Sequence, residues 1–289
     1  MIETCFLLCI ALDTPTTSYP ETLRENVNET IHGIEVQDPY RWLEDDVRES
    51  DNVRNWVTEE NKVTKEYLDS IESLPSIRDA LTKAWNYPKQ GQPFHRGKRW
   101  FQSRNTGLQN HYVIYTGTSS TTIDEVLLDP NKFSEDGTQA LSMYSPSPEG
   151  KYLVWGISDA GSDWATWYAK DLTTGKLLPE ILKDIKNASP SWLPDESGYF
   201  YSRYPHSDSE DHIETTDGEE LWFHTIGTDQ SEDKLIWSDP EHPDRFYGAS
   251  VTKDGGWLVV SVNEGTSSNN AILVKGPTEK KLRWCITDF

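Results

Sequence analysis

The sequence predicts a mainly β fold, a partial β-propeller of about four blades, preceded by a short helical arm. Three observations predict it: one complete strand-and-turn unit, the recurrence of its marker glycine, and helical spacing ahead of the strands. The markers lie 53, 48 and 58 residues apart, at Gly97, Gly150, Gly198 and Gly256. This period suits a blade of about 50 residues better than helical repeats of about 33 or 34. A β-sandwich with ordinary glycine turns is the alternative.

The complete unit covers residues 147–176. Residues 151–157 are rich in aromatic and β-branched side chains, as in a buried strand, and residues 164–170 alternate as in a half-buried one. The turn formers of residues 158–163 separate the two strands, and residues 173–176 close a hairpin. The unit is therefore an antiparallel meander. A strand following a glycine turn recurs in three further stretches: 94–101, 192–201 and 251–260.

The composition indicates a globular chain with enough apolar surface for a core. The 289 residues are 35% hydrophobic and include 12 Trp and 13 Tyr, which suits one large domain or two small ones. The net charge of -21 argues against nucleic acid or an anionic membrane as a partner, because both require a basic face. Cys5, Cys9 and Cys285 are too few and too odd in number for a disulfide framework, so we expect a reducing, cytoplasmic compartment.

The first 18 residues form an unassigned N-terminal extension. Residues 5–12 are apolar but too short to span a bilayer, and Glu3 stands where a secretory signal has basic residues. A cleaved signal is the alternative. Cys5 and Cys9 share a face if this stretch is helical, but two thiols alone make a poor metal site.

The arm is predicted to be helical and polar over residues 22–83, with Pro39 and Pro75 as breaks. Residues 51–71 have apolar positions near helical spacing, and Asp51 is the predicted N-cap. The apolar face that needs a partner comprises Val53, Trp56, Val57, Val63, Tyr67, Leu68 and Ile71.

A second short helix is predicted over residues 76–85, directly after Pro75, and strand patterns follow it. The domain boundary is therefore expected near residue 75. This gives an arm of residues 19–75 and an incomplete propeller of residues 76–289.

Four phrases in order carry a resemblance to a known family. They are DPYRWLED at 38–45, NTGLQN at 105–110, AGSDW at 160–164 and GTDQSED at 227–233. With them, residues 19–289 resemble the N-terminal part of the prolyl oligopeptidase family of serine peptidases. The resemblance implies an α/β-hydrolase domain capped by a seven-bladed propeller, in an enzyme that cleaves short peptides on the carboxyl side of proline.

The same resemblance implies that four of the seven blades are present and that the arm packs on the α/β-hydrolase domain. The expected partners are this domain and, through it, oligopeptide substrates. A stand-alone propeller that serves as an interaction scaffold is the other hypothesis, and it requires a closed ring.

The catalytic motif of an α/β-hydrolase is absent from these residues. Such an enzyme needs a nucleophile elbow, G-x-S-x-G, and this chain has none. Ser162 in Gly161-Ser162-Asp163 and Ser267 in Gly265-Thr266-Ser267 are the nearest pairings, and both are interpreted as turn residues. No catalytic residue is assigned, and the chain is predicted to be inactive alone.

No metal or cofactor site is predicted either. The histidines show no i, i+4 zinc spacing and are interpreted as scattered over loops and strand ends: His32, His95, His111, His206, His212, His224 and His242. The acidic residues 208–214 and Glu219-Glu220 lack the ligand order of a calcium loop and are interpreted as polar insertions.

Propeller residues near the substrate pocket of animal members of the family correspond, by resemblance, to the neighbourhoods of Asn187, Tyr247 and Thr266. The side chains here are not the apolar or thiol groups expected at those places. No binding residue is therefore assigned.

Overall fold

The computed structural model describes residues 18–205 and 217–287. The chain divides into two compact units, one ending at Ala84 and the other beginning at Trp85. The boundary expected near residue 75 lies inside a helix of the first unit. The stretch at residues 5–12, with Cys5 and Cys9, and the acidic residues 208–214 lie outside the described residues. In the described part, no helix is both long and apolar enough to cross a membrane.

In the described part of the first unit, the first element is a β-hairpin rather than a helix. Strands β1 (Asn28–Ile31) and β2 (Ile34–Gln37) pair antiparallel through a two-residue turn. Both turn residues have positive φ, 50° at His32 and 80° at Gly33, as the tight turns of hairpins require. The helix prediction is therefore wrong for this part of the arm, because the alternation and the His-Gly turn decide the local structure.

The two predicted helices are present. They are α1 (Asp51–Asp69) and α2 (Leu74–Trp85). The N-cap of α1 is Ser50, whose hydroxyl accepts a hydrogen bond from the Val53 amide at 3.4 Å. The prediction of Asp51 as the cap is wrong by one residue, and Asp51 pairs with Arg54 in the first turn instead.

The arm has a small core of its own. Trp42, in a 3₁₀ helix, packs edge to face on Trp56 of α1 with ring centroids 6.4 Å apart. The indole of Trp42 donates to the Leu23 carbonyl at 2.9 Å, and that of Trp56 donates to the Thr22 hydroxyl at 3.1 Å. Trp56, expected on a face without a partner, therefore has one inside the arm. Other apolar side chains of the helices remain exposed: Tyr67, Leu68, Ile77, Leu81 and Trp85.

The second unit consists of four antiparallel sheets in chain order, here called blades A to D. Blade A contains β3 (Lys89–Gln90), β4 (Phe94–Arg96), β5 (Arg99–Asn105), β6 (Val113–Gly117) and β7 (Glu125–Leu128). Blade B contains β8 (Ala140–Pro146), β9 (Tyr152–Ser158), β10 (Trp164–Asp171) and β11 (Leu177–Lys186).

Blade C contains β12 (Ser191–Trp192), β13 (Gly198–Arg203), β14 (Glu220–Thr225) and β15 (Lys234–Trp237). Blade D contains β16 (Arg245–Val251), β17 (Leu258–Glu264), β18 (Asn270–Lys275) and β19 (Arg283–Ile286). In blade A, β3 and β4 both pair with β5, so they are two parts of one edge strand. Four successive up-and-down sheets are the predicted mainly β, propeller-like fold, which is confirmed, and β9 and β10 form the predicted meander.

The marker glycines have two different roles. Gly97 and Gly150 occupy turns with φ of 51° and 73°, whereas in the blade C turn the residue with positive φ is Glu196, at 59°. In the blade D turn it is Gly255, at 71°, rather than Gly256. Gly198 lies inside β13, where a Cβ atom would sit 2.2 Å from the His224 carbonyl oxygen. The spacing is real, but in blades C and D the turn residue precedes the predicted marker.

A hydrophobic core lies between each pair of consecutive blades. Phe101 and Leu153 contribute to the core between blades A and B, and Trp167 packs on Tyr201 between blades B and C. Leu221 and Val260, both fully buried, belong to the core between blades C and D. The sheets therefore pack face to face, as propeller blades do.

Polar contacts join the first strands of blades B, C and D. The Trp192 indole on β12 donates to the Ser145 hydroxyl on β8 at 3.1 Å. On the other side of blade C, the Val251 amide of β16 donates to the Ser191 hydroxyl at 3.0 Å. These bonds fix how successive blades sit beside one another, and that placement shapes the spaces described next.

Candidate functional site

Two cavities open between blades at equivalent places. One, of about 700 Å³, lies between blades A and B, and the other, of about 510 Å³, lies between blades C and D. Each is lined by the second strand of one blade and the first strand of the next: Ser103 and Ser142 in the first, Ser202 and Gly248 in the second. We call the second the C/D cavity.

The C/D cavity brings together two of the three positions indicated by resemblance. Asn187, in the connection between β11 and β12, and Tyr247, on β16, both line it. Asn187 has a φ of 52°, a left-handed conformation that asparagine tolerates better than most residues. Thr266 lies in the turn after β17 and is not among the residues that line the cavity.

Glu219 is a buried carboxyl at the edge of this cavity. The Tyr247 amide donates to its Oε2 at 2.6 Å, and the Ser202 side chain also hydrogen-bonds to it. Burial raises the pKa of Glu219 to about 7, against the effect of those two hydrogen bonds. The sequence grouped Glu219 with Glu220 as a polar insertion. That interpretation missed the burial of Glu219, because the residue precedes β14 and lies outside any strand pattern.

Aromatic rings and one cation complete the lining of the cavity. Tyr201, Tyr204 and Phe246 line it together with Tyr247. Lys186 also lines it, but its Nζ lies 3.8 Å from Asp163 Oδ2 and 5.8 Å from the centroid of the Trp164 ring. The lining thus combines rings, amide and hydroxyl groups with one buried acid.

A second buried polar group lies between blades B and C. His224 on β14 is fully buried, and its Nδ1 is 2.7 Å from Asp233 Oδ1. Glu180 Oε1 of blade B is 3.9 Å from its Nε2, and the Tyr201 hydroxyl donates to Asp233 Oδ2 at 2.5 Å. Burial alone lowers the pKa of His224, but its interactions with Asp233 and Glu180 raise the pKa by more than burial lowers it. The net pKa is therefore above the ordinary value.

The sequence interpretation places His224 at a strand end, and the residue is the second-to-last of β14. Its complete burial between two blades was not part of that interpretation. The sequence of β14 carried no simple alternation signal, because the buried Leu221 and His224 are three residues apart and a bulge lies between Leu221 and Trp222. His32 is in a turn, and His206 and His212 lie outside the described residues.

The two serines weighed as nucleophiles lie in turns. Ser162 Oγ accepts a hydrogen bond from the Trp164 amide at 3.2 Å, and Ser267 Oγ accepts one from the Asn269 amide at 3.1 Å. Both contacts are local to the turn, and neither places the hydroxyl beside a histidine base. Within residues 18–205 and 217–287, no three His, Cys, Asp or Glu side chains form a group that could hold a metal ion.

Comparison with known proteins identifies the family. The family model "Prolyl oligopeptidase, N-terminal beta-propeller domain" matches residues 19–287. The chain belongs to the prolyl oligopeptidase family. It is 41% identical over 252 residues to the prolyl endopeptidase of Elizabethkingia meningoseptica, covering 87% of this chain and 35% of that protein. It is 36% identical to prolyl oligopeptidase A of Amanita bisporigera and covers 36% of that protein.

Solved structures of the prolyl oligopeptidase family share the fold. Prolyl oligopeptidase B from Galerina marginata, solved with a 35-residue hydrolysis and macrocyclization substrate, matches with a TM-score of 0.79 at 27% identity. The match covers 94% of this chain and 41% of that one. The chain therefore spans about two fifths of that structure and little more than a third of the two curated relatives.

Proposed function

We propose that this chain is the N-terminal, substrate-gating propeller portion of a prolyl oligopeptidase-like serine endopeptidase. Such an enzyme cleaves short proline-containing peptides on the carboxyl side of proline. The observation that carries the proposal is the match of the family propeller domain over residues 19–287, on four blades that follow one another in chain order. These residues supply no nucleophile elbow, so the bond-breaking groups belong to an α/β-hydrolase domain.

The contribution of the blades is control of access. Cores between consecutive blades, such as that of Trp167 and Tyr201, hold neighbouring sheets together. The cavities between blades are large enough for a few side chains of an extended peptide, at about 510 and 700 Å³. A short flexible peptide is thereby admitted, and a folded domain is excluded.

A chimera tests this function. Residues 19–287 replace the matching part of the Elizabethkingia meningoseptica prolyl endopeptidase, and the remainder of that protein is retained. We expect the chimera to take up a fluorophosphonate serine probe, to hydrolyse a short proline-containing chromogenic peptide, and to leave a folded protein substrate uncut.

Two results would contradict the proposal. One is a chimera that takes up the probe and cuts the folded protein substrate as readily as the short peptide. The other is a soluble chimera that takes up no probe, because blades of this type should support an intact catalytic domain.

A further inference from the structure

The C/D cavity places a buried acid beside aromatic side chains. Glu219 is 6% exposed, and Tyr204, Phe246 and Tyr247 line the same space. Carboxylates bind ammonium groups through charge-assisted hydrogen bonds, and aromatic rings attract the same cations. We infer that this cavity binds the ammonium group of a peptide's lysyl side chain, with Glu219 as its charge partner. That the ligand is a peptide rests on the proposed function.

Glu219 has hydrogen-bonding capacity left for a ligand. One bond comes from the Tyr247 amide at 2.6 Å and another from the Ser202 side chain. A carboxylate offers about four lone-pair positions, so these two bonds leave room for an ammonium donor. The same two bonds hold the carboxyl in place before a ligand arrives, which reduces the entropy lost on binding.

The charges around the cavity favour a cation. Lys186 is the cation that lines it, and the nearby carboxylate of Asp163, 3.8 Å from its Nζ, offsets its charge. The carboxylate of Glu219, which lines the cavity, therefore remains to offset the positive charge of a bound ligand. The chain as a whole carries a net charge of -21, which attracts cationic peptides from solution.

The protonation of Glu219 gives binding a measurable signature. Burial raises its pKa to about 7, so about half of the molecules carry the proton at neutral pH. A bound ammonium group favours the ionised carboxylate, so binding should release about half a proton for each site at pH 7. A carboxyl with a structural role alone releases none.

Titration calorimetry of the full chain tests the inference with two matched peptides. These are acetyl-lysyl-glycyl-proline amide and the same peptide with norleucine, which keeps the carbon chain and lacks the ammonium group. Titrations in two buffers of different ionisation enthalpy report proton release. We expect the lysyl peptide to bind at least about tenfold more tightly and to release a proton fraction that the norleucine peptide does not. Equal affinities, or no proton release, would overturn the inference.

Variants at two adjacent glutamates distinguish binding at Glu219 from a general effect of the chain's negative charge. Glu219→Gln should remove both the tenfold preference and the proton release. Glu220→Gln should keep both, because Glu220 accepts a bond from the Trp222 indole at 3.1 Å and does not line the cavity. An equal loss in both variants refutes the role of Glu219.

The comparison of the two peptides on the unaltered chain does not depend on how either variant folds. The chimera's selectivity for short peptides is measured separately. Failure of this inference is therefore distinguishable from failure of the proposed function.

Discussion

His224 is expected to act as a buried cation that holds blades B and C together. Its Nδ1 is 2.7 Å from Asp233, and Glu180 of the preceding blade faces Nε2 at 3.9 Å. Tyr199 and Tyr201 pack around the same group. Because the pKa of His224 is raised in the folded protein, its contribution to stability is fully present below its unfolded value of about 6.5 and is lost as the pH rises through the folded value.

The perturbation that isolates this contribution is Asp233→Asn. The carboxylate of Asp233 accepts two buried hydrogen bonds, from His224 and from the Tyr201 hydroxyl at 2.5 Å. Hydrogen bonds to charged groups contribute about 1.5–3 kcal/mol each, so the variant should lose about 3–6 kcal/mol of unfolding free energy near pH 6. Once the pH is above the raised pKa of His224, the imidazole is neutral in both proteins, and the loss should fall to about 2 kcal/mol.

Urea unfolding of the unaltered chain and of the variant, at both pH values, measures this difference. Glu219 also titrates in this range, but it does so in both proteins and cancels. Asp244→Asn is the matched control, because it removes one charge at an exposed site in the connection between β15 and β16. A loss for Asp233→Asn that is equal at the two pH values would refute the assignment of a charged His224.

Three further outcomes are expected. Glu196→Gly should relieve the strain of the left-handed backbone at that residue. It should still destabilise the chain by about 1–3 kcal/mol in thermal unfolding, because the Ser147 hydroxyl and the Glu149 amide lose a buried acceptor. A gain in stability would contradict this expectation. Limited proteolysis should cut first between residues 20 and 75, where Tyr67 and Leu68 are exposed, and cleavage of the blades at the same rate would count against it. The purified chain should neither hydrolyse a proline-containing peptide nor take up a fluorophosphonate, and labelling of Ser162 would overturn this expectation.

The blades were predictable because their signals are local. Turn residues, β-branched strands and a period near 50 residues identified the meander of β9 and β10 without any long-range information. The arm was predicted less well, because helical spacing in residues 51–71 was extended backward over a short hairpin. His32 and Gly33 form the turn of that hairpin, and the helical spacing of apolar residues does not report a two-residue turn.

The candidate site was less accessible to sequence reasoning. Glu219 and Tyr247 meet across two blades, and Glu180 and His224 meet across another pair, at separations that no local pattern reports. Their burial follows from how neighbouring sheets stack. The resemblance to the prolyl oligopeptidase family located Asn187 and Tyr247 near one another, but the acid between blades C and D had no signal in residue type or spacing.

Glu196 shows how a repeated architecture can acquire an order that its repeats alone do not specify. The other three blades have a glycine with positive φ in the corresponding turn, whereas this one has a carboxylate that reaches the turn of blade B and accepts from the Ser147 hydroxyl and the Glu149 amide. Blade C is therefore matched to one particular predecessor. If blades were shuffled or duplicated, those donors and their acceptor would be separated, and the buried Ser147 and Glu196 side chains would lose this hydrogen bond. The turn contact thus specifies which blade precedes blade C. A recombined chain should therefore fold where blades B and C are exchanged together, and it should fail to fold where the exchange point lies between them.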